Sequence, residues 1–191
     1  MRLLFMGPPG AGKGTQAEML SGKLDVPQIS TGDIFRTNVS QGTELGRTAQ
    51  RYMDEGEYVP DEVTNEMVRN RLAESDTNLG FVLDGYPRTV DQVETLDGIL
   101  AELGQALDAV VSLAVDSEEL IARLLKRART SGRSDDTEEV IRHRQEVYLE
   151  QTAPLLEIYA ERGVLVTVDG LGEVDDVAER ILAALPGTGQ G

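Results

Sequence analysis

The 191-residue chain contains no cysteine, which excludes disulfides and thiolate zinc sites. It has no apolar stretch near the roughly 20 residues that a membrane-spanning helix needs. Met1-Arg2 leads straight into a short apolar run, so no signal peptide is expected and the protein is expected to be cytoplasmic. Positive charge is scarce: 18 basic residues stand against 34 acidic ones, for a net charge of −16. That balance argues against a general nucleic-acid binder. Lysine is scarcer still, with only Lys13, Lys23 and Lys126. The single histidine, His143, sits among arginines in a helical pattern and is expected on the surface rather than as a ligand or general base.

What is present is organised. Short apolar runs alternate with helical patterns: Leu3 to Met6, Pro27 to Ser30, Gly80 to Asp84, Ala109 to Val115, and Val164 to Val168. Their length and β-branched content fit buried parallel strands. The expected fold is therefore α/β, a doubly wound five-stranded parallel sheet with ligands at the carboxyl ends of the strands. Residues 30–59 read as short helices without a strand, and residues 126–136 as a polar stretch, so both are expected to be small inserted lobes. Core segments are then 1–29, 60–125 and 137–191. Residues 137–161 form one helix or two, with Pro154 at a break. The tail from Pro186 to Gly191 is expected to be disordered.

The most informative stretch is Gly7-Pro8-Pro9-Gly10-Ala11-Gly12-Lys13-Gly14-Thr15, between a strand and a helix. Glycines let backbone N–H groups turn toward a phosphate, the helix N-terminus adds about half a positive charge, and Lys13 adds a whole one. This predicts a phosphate-binding loop for ATP or GTP, and makes the expected sheet one of the P-loop NTPase type. The usual form has Ser or Thr directly after the lysine. Here Gly14 intervenes and Thr15 follows, which marks a subtype.

Further motifs agree with it. In Ser30-Thr31-Gly32-Asp33-Ile34-Phe35-Arg36, the hydroxyls suit either a helix N-cap or a binding role, and Arg36 lies one turn on. Asp84-Gly85-Tyr86-Pro87-Arg88 directly follows a strand. Asp84 stands where an acid can approach Mg²⁺, and Gln92 one turn after Arg88 can reach a base edge. Six arginines lie between Arg123 and Arg144, and guanidinium forks match phosphate oxygens. Arg123 and Arg127 share a helix face. Arg142 and Arg144 point differently, so at most one can aim at a site.

These motifs, at these spacings, resemble the adenylate kinase family, in its short-lid bacterial form, over essentially the whole chain. The resemblance implies transfer of a phosphoryl group from Mg·ATP to AMP, giving two ADP. It implies an AMP lobe at residues 30–59 and a lid at 126–136. It assigns Gly10, Ala11, Gly12, Lys13, Gly14 and Thr15 to the ATP phosphates, with Arg123 and Arg127 on the same side and the Gly172 backbone at adenine. It assigns Thr31, Arg36, Glu57, Tyr58, Val59, Gly85, Tyr86, Pro87, Arg88 and Gln92 to AMP. Arg133 and Arg144 would close on AMP and the transferred group. Catalysis would fall to Lys13, Arg88, Arg123, Arg133 and Arg144, and Mg²⁺ to Thr15 and, through water, Asp84. No structural zinc is expected, because the short stretch at 126–136 has no cysteine. The resemblance also implies a monomer with small-molecule partners, and no nucleic acid or membrane. Two alternatives stay open: a kinase for UMP or CMP, and a slow nucleotide-hydrolysing switch.

Overall fold

A computed structural model describes residues 1–131 and 137–187. Five strands, β1 (Arg2–Met6), β2 (Gln28–Ser30), β3 (Phe81–Asp84), β4 (Ala109–Ala114) and β5 (Leu165–Asp169), form one sheet in the order β2-β3-β1-β4-β5. Every neighbouring pair is parallel. The expected strands are all present.

Helices cover both faces, and the strand sequences show why. Successive side chains of a strand point to opposite faces. In β1, Leu3 and Phe5 enter one apolar cluster, with Ala17 and Leu20 of α1 (Lys13–Leu24) and Val177, Ala178 and Ile181 of α9 (Val174–Ala184). Leu4 and Met6 enter the other, with Val68 and Leu72 of α4 (Asp61–Leu72), Leu96 and Ile99 of α5 (Val90–Glu102), and Leu155 and Tyr159 of α8 (Leu155–Glu161). A strand buried on both faces has no polar alternation, which is why β1 reads as a continuous apolar run.

A third cluster stands apart, built on Phe35, Ala49 and Val59. It holds α2 (Thr31–Gln41) against α3 (Glu44–Glu55) within the stretch expected to be a lobe. Both helices have side-chain caps: Ser30 accepts from the Asp33 N–H, and Thr43 from the Gly46 N–H. Such caps contribute on the order of 1 kcal/mol each. Gly46 lies so close to α2 that a Cβ there would fall 2.1 Å from the Asn38 carbonyl oxygen.

The polar stretch from 126 to 136 is not irregular at its start. α6 (Ser117–Ser131) carries through it as helix to Ser131, because Lys126 to Arg129 are good helix formers and the first glycine comes at Gly132. Residues 132–136, with Arg133, lie outside the described residues, as do residues 188–191 of the expected disordered tail. The segment from 137 to 161 divides into α7 (Glu138–Val147), a π-helical turn at Tyr148–Thr152, and α8. The α-helical ladder is thus interrupted before Pro154 as well as at it.

The sheet order matters for function. β2, β3 and β1 are adjacent, and Asp84 at the end of β3 is level with both Ser30 and Phe5. The three motifs that follow these strands therefore emerge side by side.

Candidate active site

The loop after β1 leads into α1, whose N-cap Gly12 has φ +92° and no side-chain cap bond. Among the described residues no side chain caps the first turn, so this end of the helix presents donors and partial positive charge to a cavity lined by Gly10, Gly12, Lys13, Gly14 and Thr15. Ala11, within the same loop, is buried beneath it. Lys13 folds back over the loop and donates to the carbonyl oxygens of Gly7 at 2.8 Å and Pro8 at 3.0 Å.

Burial pushes the Lys13 ammonium down to about 8; Asp84 opposes this, while Arg88, Arg144 and Arg127 add to it. The folded value lies below the unfolded one. Holding Lys13 charged therefore costs stability below about pH 8, and that cost fades as the pH rises from 8 through 10.5. A triphosphate beside Lys13 reverses the balance and raises its pKa. Binding of ATP is thus expected to take up most of a proton near pH 9 and little at pH 6.5. Calorimetric titration in buffers of different ionisation enthalpy measures this; equal apparent enthalpies in all buffers at pH 9 would exclude it.

Asp84 ends β3 on the wall of the same cavity. Its Oδ1 is buried with no hydrogen-bond partner among the described residues. Burial pushes its pKa up, against the pull of Lys13 and Arg88. Its Oδ2 lies 3.6 Å from where a Gly14 side chain would begin. A hard cation with its own water shell suits this arrangement, since Mg²⁺ is commonly held by one or two carboxylates plus phosphate oxygens. No group of three or more His, Cys, Asp or Glu able to hold a metal occurs among the described residues.

A second cavity opens on the α2–α3 side. Thr31, Arg36, Glu57, Tyr58, Val59, Gly85, Tyr86, Pro87, Arg88, Gln92 and Arg144 all line it. The Thr31 hydroxyl donates to the Gly85 carbonyl at 2.9 Å. Gly85 has φ +83°, and a Cβ there would lie 2.6 Å from that hydroxyl, so the turn has no room for a side chain. Arg88 donates through Nε to the same carbonyl at 2.7 Å, and its guanidinium stacks 4.8 Å from the centre of the Tyr58 ring. Arg36 pairs with Asp33 at 2.6 Å. Gln92 is 1 % exposed, with both ends of its amide already held by the protein.

The two cavities share a wall of Pro9, Gly32 and Gly85 with Lys13, Arg36, Arg88 and Arg144. Four cationic side chains thus stand between two adjoining spaces. Arg123 and Arg127 line the first cavity only. Arg123 is oriented by Glu119 at 2.8 Å and by the Gly170 carbonyl at 3.3 Å. Arg142 pairs with Glu138 away from the site, so of the pair two apart only Arg144 lines it. Gly172 lies in the turn after β5 and lines neither cavity; Arg180 holds that turn through the carbonyls of Asp169 and Leu171.

His143 lies at the surface of α7, as expected, and makes a long-range contact. Its Nε2 lies 2.5 Å from Glu57 Oε1, linking α7 to the rim of the second cavity. The hydrogen bond with Glu57 raises its pKa, with Glu146 adding to the effect. Phe35, which the Ser30–Arg36 motif contains without a role, also lines the second cavity, as do Met53, Tyr148 and Thr152, which belong to no motif. Thr152 hydrogen-bonds the Tyr58 hydroxyl and donates to the Arg88 carbonyl, each at 2.8 Å. The π-helical turn aims it there, and such turns recur at functional sites. Only Pro154 hinted at this irregularity.

Comparison with known proteins agrees with this architecture. The family model described as adenylate kinase matches residues 5–164. An adenylate kinase of Nocardioides sp. is 64 % identical over 185 residues, covering 97 % of both chains. One of Kocuria rhizophila is 62 % identical over 184 residues, covering 96 % of this chain and 98 % of its own. One of Thermobifida fusca is 60 % identical over 185 residues, covering 97 % and 98 %. With a helix N-terminus at the end of β1, a second cavity beside it and this similarity along nearly the whole length, the chain belongs to the adenylate kinase family.

Proposed function

We propose that the protein transfers a phosphoryl group reversibly from ATP to AMP, giving two ADP. The observation that carries this is the shared cationic wall. Two cavities that meet at Lys13, Arg36, Arg88 and Arg144 suit two anionic ligands approaching head to head. A hydrolytic switch needs only one such space.

The loop cavity takes the ATP phosphates on the α1 N-terminus, with Arg123 and Arg127 beside them. The second cavity, walled in part by α2 and α3, takes AMP, with Thr31 and Gln92 near the base and Arg36 and Arg88 at the phosphate. The AMP phosphate is already ionised at neutral pH, so no general base is needed, in keeping with a shared wall free of histidine. Catalysis is then positioning plus stabilisation of charge on the equatorial oxygens by Lys13, Arg88, Arg123 and Arg144. Arg133 belongs to this set by family resemblance, and Gly172 to adenine. Thr15 and Asp84 would hold Mg²⁺, which when bound neutralises charge on the ATP oxygens. Residues 126–136 would close over ATP and exclude water, as lids of this family do. The reading includes a monomer acting in the cytoplasm. Among the described residues no helix is long and apolar enough to cross a membrane.

The test is diphosphate formation from Mg·ATP with each of AMP, GMP, CMP and UMP. ADP formation with AMP far above the others is expected. Preference for a pyrimidine nucleotide would overturn the acceptor assignment, and phosphate release without transfer would overturn the reaction.

A further inference from the structure

Asp61 opens α4 and belongs to none of the motifs, yet it holds Gln92, one of the two side chains placed near the base. Gln92 Nε2 donates to Asp61 Oδ1 at 2.7 Å, and the Thr89 hydroxyl donates to Asp61 Oδ2 at 2.7 Å. At the other end of the amide, the Arg88 backbone N–H donates to Gln92 Oε1 at 2.7 Å. The supports are themselves fixed. Thr89 caps α5 by accepting from the Gln92 N–H, and the Tyr86 hydroxyl ties the Gln92 carbonyl to Asn65 of α4.

A glutamine amide can usually turn over, exchanging oxygen for nitrogen at little cost. Here it cannot. A carboxylate only accepts and a backbone N–H only donates, so one orientation satisfies both partners and the reverse opposes both. Each end of the amide keeps one further hydrogen-bonding position: a lone pair on Oε1 and an N–H on Nε2. The pairing has a consequence for purines. Adenine carries an amino donor at its 6-position, whereas a 6-oxopurine carries an oxygen acceptor there. A glutamine free to turn over could serve either base. A glutamine held in one orientation offers one fixed order of acceptor and donor.

We infer that Asp61 is a specificity-determining positioning residue: by locking the Gln92 amide in one orientation it makes the acceptor site select a 6-aminopurine over a 6-oxopurine monophosphate. The inference rests on the proposal that Gln92 faces the base of the acceptor nucleotide. Asp61 touches no substrate in this scheme; it acts through Gln92.

The test compares AMP with inosine monophosphate, which differs from it only in the 6-oxo group and the ring proton that accompanies it. Asp61→Asn can donate as well as accept, so it no longer forbids the reversed amide. The AMP-to-IMP ratio of kcat/KM is expected to fall about tenfold, the scale of a lost charge-assisted hydrogen bond, with the Arg88 N–H preserving the remainder. The change should lie in the two acceptor KM values, with kcat for AMP changing less and the KM for ATP unchanged. Asp61→Ser, whose hydroxyl also donates or accepts, is the second variant and should lower the ratio similarly. A ratio within threefold of the original in a variant with normal KM for ATP would overturn the inference. Gln92→Leu separates the two levels. If it abolishes the preference while both Asp61 variants keep it, the role of Asp61 alone is wrong. If it leaves the preference intact, the placement of Gln92 at the base is wrong and the inference falls with it.

Discussion

Arg88→Ala is expected to lower turnover about 100- to 1000-fold while leaving the protein folded. The magnitude is that of removing one donor aimed at charge developing in a transition state. The position of Arg88 gives the reason. It lies on the wall common to both cavities, where a transferred phosphoryl group would pass. Its guanidinium is held by the Gly85 carbonyl and the Tyr58 ring, so its orientation is set before any ligand arrives. The structural loss is small by comparison: one hydrogen bond and one cation–π contact, together about 2 kcal/mol. Arg88→Lys should recover only part of the rate, because an ammonium cannot make the paired contacts of a guanidinium. Steady-state kinetics with a thermal melt distinguishes the two effects. Turnover within fivefold of the original in a folded variant would remove Arg88 from the catalytic set.

Gly46→Ala is expected to damage the second cavity while sparing the first. A Cβ at Gly46 would lie 2.1 Å from the Asn38 oxygen, 2.3 Å from the Asn38 carbonyl carbon and 2.6 Å from the Val39 nitrogen. These are backbone atoms, so no side chain can swing aside. The Thr43 cap pins the Gly46 N–H at 3.0 Å, so α3 must move as a unit. That helix carries Met53 and leads into Gly56, Glu57, Tyr58 and Val59, all on the second cavity. Overpacking of this kind costs about 1–3 kcal/mol, and more where backbone meets backbone. The KM for AMP should rise about tenfold or more, while the affinity for an ATP analogue stays near normal. An equal rise in both would show that α2 and α3 do not form a separate acceptor lobe. No change in either would show that the two helices part without consequence.

Much of this was legible in the residues. Leu3 to Met6 and Phe81 to Leu83 are apolar without alternation because helices bury both faces of the sheet. The glycines and Lys13 after such a run leave few alternatives, since a strand, a tight turn and a helix N-terminus form a phosphate cradle from local geometry alone. Gly85 stands in the motif that directly follows β3, and its positive φ and its closeness to Thr31 give the reason for a glycine there. Arg142 and Arg144 were separable by helical phase, and only Arg144 lines the site.

Other features were beyond any local pattern. Asp61 belongs to no motif in the sequence; only the packing of α4 against α5 places it on Gln92. His143 was legible as a surface helix residue, but not its partner Glu57, which lies 86 positions away. The π-helical turn that brings Thr152 to Arg88 has no composition of its own.

The division has a physical basis. By itself the sequence determined the strands, the phosphate loop and the kinds of side chain available for anion chemistry, because these follow from periodicity, backbone freedom and charge within a few residues. The tertiary structure alone decided that β2, β3 and β1 are neighbours, so that Thr31, Asp84 and Lys13 converge. It also decided which arginines share a wall and which carboxylate holds the amide of Gln92. Such pairings depend on distances across the fold, and one-dimensional order does not carry those distances.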